Sequence, residues 1–164
     1  MSDSKPVAQP KASRPHMPGY GIPKSIKGVL PWSHVSERMA KARNYWIGTT
    51  SPDGSPHSVP VWGLWVEDAL YFSGGADTRW MRNLAQNPKV SVHLDSSDEV
   101  VVIEGIVEQL TDPTHPIVPK LDEASKAKYQ MGSNGVPCWV LKPRVAFAWS
   151  ESLKNATRWV FDTK

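Results

Sequence analysis

The sequence predicts a mainly β protein: about seven strands in a closed antiparallel barrel, with two or three short helices at its rim. Three observations lead there. Short runs rich in aromatic and β-branched residues recur along the chain, separated by turn signals. One turn, "SPDGS" at Ser51–Ser55, has a clear mechanism, because Pro52 presets its own φ and Gly54 tolerates a positive one. A long alternating run, "EVVVIEGIVEQL" (99–110), carries Gly105 in its middle, where a bulge or barrel corner is expected.

The elements follow in order. Residues 1–30 form a basic arm whose prolines rule out a long helix and favour an extended or partly disordered path, with order expected only after residue 14. The folded body, 31–164, opens on a helix, with Ser33 as N-cap and Val35, Met39 and Ala42 on one face. Residues 45–50 and 57–66 read as a hairpin around "SPDGS". The three-residue spacing of Trp62 and Trp65 places an irregularity near Gly63. After a tight Glu67-Asp68 turn comes a strand at 69–73, then a short helix from Asp77 or Thr78 to about Gln86, ended by Asn87-Pro88. Strands are expected at 89–94 and 99–110, a helix at 121–129, and two closing strands at 138–142 and 144–151. Trp46, Trp139 and Trp149 are expected in the core or a subunit interface.

Composition narrows the function. The net charge of +3 divides unevenly, since residues 1–31 hold five basic residues against Asp3 alone. The basic character therefore belongs to the arm. With one tyrosine it makes a poor nucleic-acid footprint, and no such partner is expected. The single cysteine, Cys138, excludes an internal disulfide, and no apolar run approaches the roughly 18 residues of a membrane helix. A cytoplasmic, soluble protein without membrane partners is the expectation. No paired metal-ligand spacing, nucleophile elbow or phosphate loop of standard pattern occurs. Asp95, Asp98 and Glu99 read as solvated turn residues.

"SGGADTRWMRN" (73–83) stands apart. A strand runs through Gly74-Gly75 into a helix whose first turn carries Thr78, Arg79 and Arg82. Free N–H groups and the positive end of the helix dipole converge there, and a hydroxyl and guanidinium forks add donors suited to a phosphate. On these residues alone, a helix simply solvated by its arginines is an equal reading.

The order "SPHSVPVW", "LYFSGG", "DTRWMRNLAQNPKVSVHL", "VVVIEG" resembles the pyridoxamine 5′-phosphate oxidase-like, FMN-binding split-barrel superfamily, and most of all its deazaflavin (coenzyme F-420) branch. The resemblance covers about residues 30–110, with a weaker echo in "VAFAWSE" and "ATRWVF". It implies a split barrel, a homodimer with cofactor sites in clefts between subunits, and FMN or coenzyme F-420 as cofactor. It implies a phosphate held by Thr78, Arg79 and Arg82, with Asn83 in the same motif, and a ring system along Ser58, Val59, Pro60, Val61 and Trp62, near Phe72 and Ser73. Trp80 stands where the pattern carries a phosphate-contacting lysine. An indole offers one N–H donor and a stacking face in place of a charge. The C-terminal pattern directed at pyridoxal phosphate is not matched.

No catalytic acid–base pair is apparent and none is required, because a flavin-type cofactor carries the hydride chemistry itself. The resulting expectation is an oxidoreductase acting on a small conjugated substrate. The alternative is a non-catalytic split-barrel protein that binds a flavin or haem-type ligand.

Overall fold

The computed structural model describes residues 9–162 and contains nine strands and three helices. The arm contributes β1 (Lys11–Ser13); α1 (Trp32–Lys41) opens the body. Then come β2 (Asn44–Thr50), β3 (Pro56–Trp62), β4 (Leu64–Val66), β5 (Ala69–Phe72), α2 (Arg79–Gln86) and β6 (Lys89–His93). The chain finishes with β7 (Glu99–Leu110), α3 (Ile117–Tyr129), β8 (Cys138–Ser150) and β9 (Ser152–Val160).

All pairings are antiparallel, in the order β1-β9-β8-β7-β6-β2-β3, with the β4–β5 hairpin joined to β8 through β5. The sheet is a split barrel that does not close, in contrast to the closed barrel expected above. Among the described residues β3 pairs with β2 alone and leaves its other edge free, and β8 branches, with β5 beside its first part and β9 beside its second.

The long β7–β8 pair forms the spine. Pro143, expected to separate two strands, lies inside one. Its missing N–H is accommodated because the register shifts between Glu104 and Gly105, directly opposite. Gly105 is required there: a Cβ would come within 2.7 Å of Leu141 and 2.9 Å of the Lys142 carbonyl. The irregularity expected near Gly63 appears as the break between β3 and β4. Glu67 and Asp68 both adopt positive φ, as their tight turn demands.

Helix boundaries depart from expectation where proline and burial compete. α1 starts at Trp32 with Pro31 in the cap position, so Ser33 is inside the helix. Trp32 is drawn into the core, where it packs on Trp65, Trp159 and Phe161. α3 begins four residues earlier than expected: Ile117 packs with Leu64 and Cys138, and Pro119 is tolerated in the first turn, where no N–H is needed. Glu99 is no solvated turn residue. It opens β7, receives Arg38 and the Ser150 hydroxyl, and is held below the usual carboxylate range, first by Ser150 and then by Arg38.

The core fills the barrel with Tyr45, Ile47, Leu70, Val92, Ile103, Leu141 and Trp159, all essentially inaccessible. A second cluster packs α3 through Ile117, Leu121 and Tyr129 onto Leu64 and Cys138. Trp139 is buried as expected, whereas Trp46 and Trp149 are half-buried. Among the described residues no helix is long and apolar enough to cross a membrane.

Order begins earlier in the arm than expected. β1 pairs with Arg158–Val160 of β9, and Arg14 donates to the carbonyls of Ser25, Lys27, Lys154 and Ala156. Residues 1–8, also assigned to the disordered stretch, lie outside the described residues.

Candidate functional site

Three groups of side chains meet along β3. The first is at its N-terminal end. The β5–α2 connection passes through Gly74 and Gly75, and a Cβ at Gly74 would overlap the Trp80 ring. The chain therefore turns tightly into α2, with Thr78 in the N-cap position. The first helical bond runs from the Arg82 N–H to the Thr78 carbonyl, which leaves the N–H groups of Arg79, Trp80 and Met81 without helical acceptors. Arg79 reaches across to the β2–β3 turn, where its Nε and Nη2 both donate to Ser51 Oγ at 3.2 and 3.1 Å.

This donor set fits a phosphate. The Ser51 hydroxyl accepts from Arg79 and keeps its own proton for a ligand. Among the described residues neither Arg79 nor Arg82 forms an ion pair. Asp53 stands close enough for Arg79 to contribute to its lowered pKa, which comes first from hydrogen bonds with Ser55. The Thr78 hydroxyl donates to the Gly75 carbonyl at 2.7 Å and must release it before it can donate to a ligand.

The second group is β3 itself. Ser58, Pro60 and Trp62 project from the exposed face, while Val59 and Val61 turn inward against the core. Pro60 sits opposite Trp46 on this edge strand, where a missing donor is tolerated.

The third group lies at the far end. Trp62, 49% exposed, stacks on Tyr129 of α3 with ring centroids 4.3 Å apart and planes at 4°. Phe72 and Ser73 join Trp62 and Tyr129 around a cavity of about 120 Å³. Beneath the stack, Lys128 Nζ donates to the Tyr45 hydroxyl at 2.8 Å and the Gly63 carbonyl at 3.2 Å. Burial with these neutral partners lowers the Lys128 pKa to about 8, and burial raises that of Tyr129.

The structure separates the residues of the expected motif. Thr78, Arg79 and Arg82 are exposed at the cradle. Asn83 is buried and donates to Thr49 Oγ1 at 3.0 Å, which ties α2 to β2. Trp80 is 7% exposed, turned inward against Phe72 and Gly74. Its indole occupies core volume at the position where the pattern has a lysine. Sequence reasoning missed Ser51, read only as a turn residue, and it missed Tyr129, Lys128 and Arg43. These join the site through long-range packing, which leaves no local signal.

A larger cavity, about 820 Å³, opens on the outer face of the sheet between Thr50, His57, Ser58, Lys89, His93, Glu104 and Arg144. It borders the exposed face of β3 through Ser58. Among the described residues no group of three or more histidine, cysteine, aspartate or glutamate side chains is placed to hold a metal ion.

The antiparallel split barrel carries an exposed set of donors at the first turn of α2. The chain belongs to the pyridoxamine 5′-phosphate oxidase family, whose model matches residues 32–147. No curated protein matches the sequence. Several solved structures share the fold. An F-420 reductase is 23% identical over 67% of this chain and 94% of its own, with a TM-score of 0.50. A heme binding protein from Mycobacterium smegmatis is 20% identical over 74% of this chain and 55% of its own, with a TM-score of 0.56. A NimC/NimA family protein from Clostridium acetobutylicum is 18% identical over 72% and 86%, with a TM-score of 0.54.

Proposed function

We propose that this protein binds a phosphorylated flavin-type cofactor, FMN or the deazaflavin coenzyme F-420, and transfers a hydride to or from a small conjugated substrate. The observation that carries this reading is the Arg79–Ser51 pair at the N-terminus of α2, set at one end of a free, exposed edge strand. In this reading Arg79, Ser51, Thr78 and the first α2 N–H groups hold the phosphate, with Arg82 adding positive charge. The cofactor's ring system lies along the Ser58–Trp62 strand toward Phe72 and Ser73. Val59, Val61, Trp80 and Asn83 set the shape of this wall from behind, as packing and positioning residues. Bound there, the cofactor supplies the hydride chemistry, and the protein supplies binding, orientation and electrostatics.

The free β3 edge and the large cavity beside it support assembly as a twofold homodimer that completes each cleft with a second copy. A second reading, binding without turnover, draws support from His93 on the outer face at the 820 Å³ cavity, because imidazole is an axial ligand for haem iron.

Titration of the purified protein with FMN, coenzyme F-420 and haem, followed by absorbance, tests these readings. Binding of FMN or F-420 that Arg79→Ala weakens by about 1.5–3 kcal/mol, the scale of a charged hydrogen bond, supports the first. Unchanged affinity in Arg79→Ala would mean that the arginine only solvates α2. A haem band lost in His93→Ala would select the second reading.

A further inference from the structure

The cradle and the exposed tryptophan occupy opposite ends of β3. Ser51 adjoins the hairpin end, next to Pro56, and Trp62 ends the strand six residues on. At about 3.4 Å per residue the two ends are roughly 20 Å apart. In the cofactor reading above, a ring anchored through its phosphate at Arg79 would lie along this strand with Trp62 at its far end, where a reacting partner would approach.

The geometry around Trp62 specifies that partner. One indole face is covered by Tyr129. The Arg43 guanidinium carbon lies 5.5 Å from the Trp62 ring centroid and 5.3 Å from that of Tyr129. Nearly equidistant from the two parallel rings, it sits at the side of the stack, and Trp62 keeps about half of its surface exposed. Arg43 is held in place by its Nη1 bond to the Lys128 carbonyl, 3.3 Å, and Lys128 Nζ adds a second cation 5.7 Å from the Tyr129 centroid. Neither cation has a carboxylate within ion-pair distance among the described residues; Lys120 and Lys126 nearby are neutralised by Glu67 and Asp122. An open aromatic face flanked by uncompensated positive charge suits a ligand that is both flat and negative.

We propose that the outer face of Trp62 is a subsite for a planar conjugated anion, with its ring stacked on the indole and its negative group paired with Arg43 at the edge of the stack. Such an anion is the substrate class of the site. Its assignment as substrate rests on the cofactor reading above, whereas its binding does not. Arg43 acts here as the specificity-determining residue, and Trp62 as the platform.

Isothermal titration of the cofactor-free protein with naphthalene-2-carboxylate and with the uncharged naphthalene-2-carboxamide separates ring from charge. The carboxylate is expected to bind about tenfold more tightly than the amide, the effect of one added charged pair. Arg43→Gln should abolish that preference and leave the amide affinity unchanged. Trp62→Ala should weaken both ligands about tenfold, and Trp62→Phe should restore most of the loss. Equal affinity for acid and amide in the wild type overturns the proposal. So does a preference that survives Arg43→Gln, binding indifferent to Trp62→Ala, or no binding of either ligand at millimolar concentration. Arg79→Ala serves as the discriminating control. It should leave naphthalene-2-carboxylate binding intact, so failure of the cradle reading and failure of this subsite give different patterns.

Discussion

Single side chains decide more here than the motif they belong to. Trp80 occupies the position of a lysine in the resembling pattern, yet its ring fills core space between Phe72 and Gly74. Trp80→Lys would remove that packing and bring an ammonium group into an apolar setting. We therefore expect a loss of about 3 kcal/mol or more of folding stability, readable by urea unfolding, in place of a restored phosphate contact. Lys128 makes a second prediction at this scale. Burial lowers its folded pKa to about 8, below the ordinary lysine value of the unfolded chain. The unfolded state then binds more protons across the interval, so stability rises with pH from about 8 upward. Tyr45 and Tyr129 act oppositely, because burial raises their pKa values and stability falls once unfolded tyrosines ionise near pH 10. Between pH 8 and 10 the melting temperature of the wild type should therefore rise relative to Lys128→Met. Parallel curves for the two proteins would show that the ammonium is solvated.

At the scale of elements, the arm is part of the sheet. β1 covers the outer edge of β9, and Arg14 gathers the Ser25, Lys27, Lys154 and Ala156 carbonyls around one guanidinium. Deletion of residues 1–12, harmless for a solvated tail, removes two of the three β1 residues and exposes a strand edge. We expect a lower melting temperature for that deletion. Arg14→Ala should cost about 1.5–3 kcal/mol in chemical unfolding, as charge-assisted hydrogen bonds do. α2 shows the same dependence on distant partners. Its inward face is fixed by Asn83 on Thr49 and by buried Leu84, and its first turn by Arg79 on Ser51. Helix orientation and cradle geometry are thus set by β2 and its turn, and Ser51→Ala should loosen cofactor binding less than Arg79→Ala in the same titration.

For the molecule as a whole, the open sheet is the main consequence. A barrel that stays split leaves β3 with a free edge and a large cavity on its outer face. A second copy would cover both. The expected species in multi-angle light scattering at micromolar concentration is a dimer, with an interface of roughly 2,000 Å² or more in total. A monomer there would remove the shared cleft from the proposed function and leave the Trp62 subsite, built from one chain, unaffected.

Local chemistry was enough to place most elements. Pro52 and Gly54 specify their turn, Asn87-Pro88 stops α2, and alternating runs mark strands, because each depends on a few neighbouring dihedrals and a face to bury. The cradle was legible in part for the same reason, since Thr78, Arg79 and Arg82 share one helical turn. Interactions between segments distant in sequence leave no such mark. That Pro143 continues a strand depends on a bulge at Gly105, and that α3 starts early depends on the apolar bed offered by Leu64 and Cys138. The sequence by itself determined a mainly β chain with a strand–glycine–helix turn that carries Thr78, Arg79 and Arg82. Tertiary structure alone decided that the sheet stays open, that Trp80 faces inward, and that Arg43, Tyr129 and Trp62 form one charged aromatic platform. The physical reason is that burial and ion pairing are settled by whichever segments the fold brings together, and that choice is made by the whole core at once.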